Sequence, residues 1–220
     1  MEQPENYAAT TSYTPSWKMA WGQSQYRVKL ITAIALLLAI SLCLPSFFAH
    51  IEHRQGWVLQ DRVLQWLPAS DVSIPTFIII WSMIGWLLFR GIQDPAILLP
   101  ALYSFVLLFL LRVISISLVP LNPPAGLIPL KDPLSNFFYG HSATFITKDL
   151  FFSGHTATQL LIFYLLPGRR EKALAFCAAI AVGILVLIQH VHYSLDVAGA
   201  LVLSYFIVLA GRRMARCAPF

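Results

Sequence analysis

Charged side chains are scarce in this sequence. Asp, Glu, Lys and Arg supply 11% of its 220 residues, where a soluble domain carries about 25%, and the mean hydropathy is +0.70. That shortage excludes a soluble globular protein. Cysteine is equally sparse. Cys43, Cys177 and Cys217 stand far apart with no CxxC or CxxxC spacing, which excludes a disulfide framework and a cysteine metal centre. The formal net charge of +5 does not point to nucleic acid either, because the basic residues sort by membrane side.

What the sequence has in place of charge is apolar runs. Six of them reach or approach the roughly 17 to 25 residues that a helix needs to cross a hydrocarbon core: about 28–48, 72–89, 95–120, 151–167, 172–190 and 194–211. The fourth and sixth sit near the short limit. The fold class they predict is an all-α polytopic membrane protein with six transmembrane helices. The first run is too long for a signal-peptide core and shows no small-residue cleavage site, so it reads as a retained anchor. Before it, a polar leader gives way to "WKMAWGQSQYRVK", whose Trp, Lys and Arg suit a membrane interface. The expected organisation is a cytoplasmic N-terminal tail with an interfacial segment (1–27), a six-helix membrane domain (28–211) and a basic cytoplasmic tail (212–220).

With six spans, one side collects Lys18, Arg27, Lys29, Arg90, Arg169, Arg170, Lys172, Arg212, Arg213 and Arg216, against Arg54, Arg62, Lys131 and Lys148 on the other. The positive-inside rule then places both termini in the cytoplasm. The six histidines all map to the opposite, outer side. Either they are interfacial residues, or some of them form one outer-face site.

Two near-identical pentapeptides, "GHSAT" at 140–144 and "GHTAT" at 154–158, raise the question of which histidine does chemistry. His155 is preferred, because Ser153 and Gly154 open an apolar run. Serine is a good N-cap, and the free N–H groups of a helix start attract anions. A histidine one turn in stands where it can exchange a proton with a bound phosphate. His141 follows "NFFYG" with no apolar run behind it and reads as a loop residue near the site. The second candidate is "QHVHYSLDVAGA" at 189–200, where His192 and Asp196 are four apart. They meet if the sixth helix begins early, and the carboxylate would fix the tautomer so that the other ring nitrogen is free as a nucleophile. Arg112 is the third feature. It lies eight residues before Pro120, about 12 Å along a helix, and a cation there costs roughly 2.5 to 3.5 kcal/mol. It either pairs with Asp196 or holds a phosphate oxygen in its guanidinium fork.

"DLFFSGHTAT" and "HYSLDV" resemble the two signature motifs of the sphingomyelin synthase-like branch of the PAP2-like lipid phosphatase and phosphotransferase superfamily, and "LRVISISLVPLNPP" resembles that branch's arginine-containing third-helix motif. The resemblance implies a PAP2-like helical bundle in which His192 is the nucleophile, Asp196 orients it, and His155 protonates the departing lipid hydroxyl. It matches Asp149 to the branch's aspartate before the SGHT element, there to orient His155 or to meet a cationic head group. Lys148, Arg112, Ser153 and Gly154 complete the expected phosphate-binding set. Two departures matter: no KxxxxxxRP segment precedes the SGHT element, and Leu185 and Val186 fill the place of the SR pair. Few cations remain for phosphate, which fits a phosphodiester better than a doubly charged monoester. The implied activity is transfer of a phospho-head-group from a membrane phospholipid to a lipid alcohol, ceramide or diacylglycerol. Hydrolysis with the same site and non-catalytic lipid binding are the alternatives. The mechanism needs no metal or cofactor, and a homo-oligomer is compatible with it. "HIEHR" at 50–54 resembles a metal pair only loosely. The outer aromatics Trp57, Trp66, Phe137, Phe138 and Tyr139 would cage a quaternary ammonium or simply form the interfacial belt.

Overall fold

A computed structural model describes residues 16–131 and 146–217. His141 and Phe137, Phe138 and Tyr139 lie outside these described residues. Each of the six apolar runs contains a helix, as it must where no water can satisfy the backbone. In chain order the helices are α1 (Trp17–Gly22), α2 (Ser24–Glu52), α3 (Arg62–Trp66), α4 (Ser73–Gln93), α5 (Pro95–Leu118), α6 (Gly154–Leu165), α7 (Arg169–Ile188) and α8 (Ser194–Ala215). Among the described residues there is no strand beyond one isolated bridge between Trp57 and Leu121.

Five of these helices, α2, α4, α5, α7 and α8, are long and apolar enough to cross a membrane. The sequence predicts a sixth over 151–167, and here the structure differs. Helix α6 has 12 residues, about 18 Å at 1.5 Å per residue, which is short of a hydrocarbon core of about 30 Å. Two local causes shorten it. Residues 146–150 approach without helical structure, with bends at Phe151 and Phe152, and Pro167 turns Leu166 out of the helix. The short helix is the innermost one: seven of its twelve residues are buried, and α4, α5, α7 and α8 all pack on it. Its ends are tied to α8, with Ser153 N donating to Asp196 O and the Arg212 guanidinium donating to Tyr164 O. It therefore runs beside most of the longer helix, the flexible reach of Arg212 making up the difference.

Hydrogen bonds at two levels show how the helices alternate in direction. At one end Trp17 donates to Ile92 O, Tyr26 to Pro95 O and Lys29 to Met214 O, and Arg90 pairs with Glu171 at 2.8 Å. At the other, Arg54 donates to Ile116 O and Ser117 O at the end of α5, Trp57 N to Pro120 O, and Ser70 N to Ile188 O. The wholly buried centre is made by Phe152, Ala157, Leu161, Ile162, Leu166, Ala175 and Ala200. Small residues at these crossings let the backbones approach, as membrane bundles require.

Candidate active site

Helix α8 is capped by its own acid. Asp196, in the first turn, accepts the Tyr193 N–H at Oδ2 (3.0 Å), satisfying one of the donors that a helix start leaves free. The same oxygen faces Nδ1 of His192 at 3.2 Å. The spacing of four predicts a meeting on one helical face if the helix begins early; the helix begins at Ser194, after the histidine, so it is the capping turn that joins them. With Asp196 ionised, Nδ1 carries the proton and donates, and the lone pair lies on Nε2. Both groups are buried, His192 at 2% exposure and Asp196 at 0%.

Helix α6 is capped by Ser153, whose Oγ accepts the Thr156 N–H at 3.3 Å and donates to Thr156 Oγ1 at 3.1 Å. This start is locked to that of α8 by the Ser153 N to Asp196 O bond of 3.0 Å. His155, the second helical residue, therefore meets His192 edge to face with ring centroids 5.8 Å apart, and Phe77 of α4 closes its other side at 6.1 Å. Two buried polar atoms here have no hydrogen-bond partner among the described residues: His155 Nδ1 and Asp196 Oδ1. Buried polar groups are ordinarily paired, so these are the atoms with capacity left for a substrate or water.

Arg112 comes from α5 and is 7% exposed. Its guanidinium donates to Phe152 O and to the Asp149 carboxylate, and lies 6.0 Å from the Phe152 ring centroid. Its carboxylate partner is thus Asp149 and not Asp196. Residues 152–154 touch Arg112 on one side and are bonded to Asp196 O on the other, which keeps arginine and Asp196 apart. A Cβ at Gly154 would overlap the Arg112 guanidinium. Glycine is what lets the cation reach the start of α6.

Arg112, Asp149, Gly154 and His155 form the polar end of a cleft of about 320 Å³. Apart from Thr158 the rest of its wall is apolar, with Leu44, Phe47 and Phe48 from α2, Leu108 and Phe109 from α5, and Ile80 from α4. His192 does not line this cleft and stands against His155. Lys148, expected to serve phosphate, has its ammonium on Arg54 O instead and is outside the cleft lining. Trp57 and Trp66 are 76% and 87% exposed and also lie away from it. The ring nitrogens of His190 face Ala125 O and Leu67 O, and so tie the segments after α3 and after α5 to the turn before α8.

Three residues that sequence reasoning passed over support this geometry. Asp61 accepts Ser194 N at 2.6 Å and also caps α3 through Val63 N and Leu64 N. Desolvation alone would raise its carboxyl, but the bonds from Ser194, Val63 and Leu64 outweigh it and hold Asp61 below the ordinary carboxylate range. Tyr193 donates its hydroxyl to Asn122 O at 2.9 Å and accepts Leu59 N at 3.3 Å. Glu52 binds the segment before Asp149. The one signal for Glu52 in the sequence was a carboxylate at the end of an apolar run.

No curated protein and no solved structure matches this chain. Residues 148–212, which contain Asp149, Ser153, His155, His192 and Asp196, match the family model PAP2 superfamily C-terminal, and this match supports a PAP2-like superfamily protein.

Proposed function

We propose that the protein is a membrane enzyme that moves a phospho-head-group from a phospholipid to a lipid alcohol through a phosphohistidine. The observation that carries this reading is the pairing of His192 Nδ1 with Asp196 at 3.2 Å beside the ring of His155. An oriented imidazole nucleophile next to a proton carrier is what a two-step displacement at phosphorus needs. The cleft supports a lipid substrate, since an apolar wall leads to a polar end holding one cation.

In the first step Nε2 of His192 attacks phosphorus, the bond from phosphorus to the lipid oxygen breaks, and His155 gives that oxygen a proton. In the second, His155 takes the proton from the incoming lipid hydroxyl, whose oxygen attacks phosphorus and breaks the bond to His192. Arg112 stabilises the phosphoryl oxygens. Asp149 already neutralises part of that cation, which favours a phosphodiester over a doubly charged monoester. The bias of basic residues supports cytoplasmic termini, with the site toward the opposite leaflet.

The test is product analysis in liposomes with a fluorescent ceramide or diacylglycerol and unlabelled phosphatidylcholine and phosphatidylethanolamine. A new fluorescent phospholipid, absent with His192→Ala, is expected and names the head group. Release of phospho-alcohol into water with the fluorescent acceptor unchanged would replace transfer by hydrolysis.

A further inference from the structure

Helix α2 is held at its two ends. Its buried residues are Tyr26, Leu30 and Ala33 near one end and Ile51 at the other, while Leu44, Phe47 and Phe48 between them form one wall of the cleft. The outer end is fixed by charge. Glu52 Oε1 accepts Thr147 N at 2.6 Å and Lys148 N at 2.8 Å, and Oε2 accepts the Thr147 hydroxyl at 2.9 Å. All three donors belong to the two residues directly before Asp149. Close by, the Lys148 ammonium donates to Arg54 O, and Arg54 donates to the last carbonyls of α5, the helix that carries Arg112.

The segment from 147 to 153 is consequently pinned at both ends. After Asp149 it is held by Ser115 Oγ on Phe151 O at 2.8 Å, by Arg112 on Phe152 O and by Ser153 N on Asp196 O. Before Asp149 the side-chain bonds to its backbone come from Glu52. A carboxylate at the edge of an apolar layer is costly, and here it is spent on backbone N–H groups through charge-assisted bonds. Released at Glu52, the backbone of residues 147 and 148 would lose its side-chain anchor and be held through the Lys148 and Asp149 side chains, so that the Asp149 carboxylate would shift on the Arg112 guanidinium.

We propose that Glu52 is a positioning residue for phosphoryl transfer. It fixes the backbone before Asp149, Asp149 fixes the Arg112 fork, and the fork holds the phosphoryl group that His192 attacks. This rests on the function proposed above. It assigns to α2, outside both histidine motifs, a part in the chemistry.

The experiment is a double-mutant cycle of Glu52→Ala with Asp149→Asn, together with Glu52→Gln, read by head-group transfer in liposomes. A misplacement on the scale of 1 Å costs about a hundredfold, so Glu52→Ala should lower kcat/KM by at least about tenfold. Glu52→Gln keeps a carbonyl for both N–H groups and should stay within about threefold of wild type. Because Glu52 acts through Asp149, its loss in the Asp149→Asn background should cost less than about threefold more. Amide exchange without substrate provides a readout independent of turnover: in Glu52→Ala a peptide covering 146–150 should exchange faster while one covering 194–205 does not change. If Glu52→Ala does not fold, Glu52→Asp, which keeps the charge and shortens the reach, carries the same predictions. Full activity in Glu52→Ala, the same loss in both backgrounds, or unchanged exchange over 146–150 would overturn the proposal. A wild-type protein that transfers no head group would overturn the preceding reading instead, and exchange would still decide whether Glu52 clamps the segment.

Discussion

The guanidinium of Arg112 lies so close to the Cα of Gly154 that a single methyl group there would overlap it. The arginine thereby presents its charge at the first turn of α6, where a helix start already favours an anion. Cation and helix terminus act on one place in the cleft.

Gly154→Ala is therefore expected to displace the guanidinium with little harm to the rest of the bundle. Overpacking of this kind costs about 1–3 kcal/mol. If Arg112 holds the phosphoryl group as proposed, activity should fall by at least about tenfold, since misplacing such a ligand is costly. Parallel measurement of head-group transfer and thermal unfolding checks the two sides. Wild-type activity in Gly154→Ala would show that the position of Arg112 is immaterial.

Asp149→Asn leaves Arg112, 7% exposed, without its countercharge. Breaking a fully buried pair costs about 3–5 kcal/mol. The Asp149 side chain is 24% exposed, so water screens part of the loss and about 1–3 kcal/mol is expected. Thermal unfolding of the variant in detergent gives the number. An unchanged melting temperature would mean that the ion pair contributes nothing to stability.

Asp196→Asn preserves shape while removing the charge that sets the His192 tautomer. An amide still accepts the Tyr193 N–H, so the fold should survive. Loss of the orienting carboxylate in a comparable triad costs about 10⁴ in kcat, and a fall of about 10² to 10⁴ is expected here. The ratio of kcat between wild type and variant measures it, with the melting temperature as control.

Asp61 makes a prediction about pH. Its carboxyl is held below the ordinary range in the folded protein, so the ionised form is the stabilising one. The contribution is present above the unfolded value of about 3.9 and is lost as pH falls through the lower folded value. Removing a cap of this type costs about 0.5–2 kcal/mol. Asp61→Ala should melt below wild type at pH 6, and the gap should narrow below about pH 4. A gap that stays constant from pH 6 to pH 3 would contradict the assignment.

What the sequence made legible was whatever depends on neighbours along the chain. The six apolar runs each contain a helix, the Ser153 cap forms with Thr156, and His192 meets Asp196. The partner of Arg112 was not legible, because it depends on how residues 147–153 cross between α5 and α8 without helical spacing to guide them. Nor was the role of Glu52, whose donors at 147 and 148 are nearly a hundred residues away. The shortness of α6 had a local signal in Pro167, but its approach along 146–153 is imposed by tertiary bonds. Where the site rests on caps, sequence sufficed. Where it rests on a segment held from several helices, it did not.

In the proposed function His192 carries the phosphoryl group between two lipids. The most direct measurement is to incubate the purified protein with a phospholipid radiolabelled in its head-group phosphate, without acceptor, and to quench in denaturant at alkaline pH, where a phosphoramidate persists. Label should appear on the wild-type chain in a peptide containing His192, and should move into a new phospholipid when a lipid alcohol is added before the quench. Transfer to the lipid alcohol by His192→Ala at the wild-type rate, with no label on the protein at any time, would contradict it.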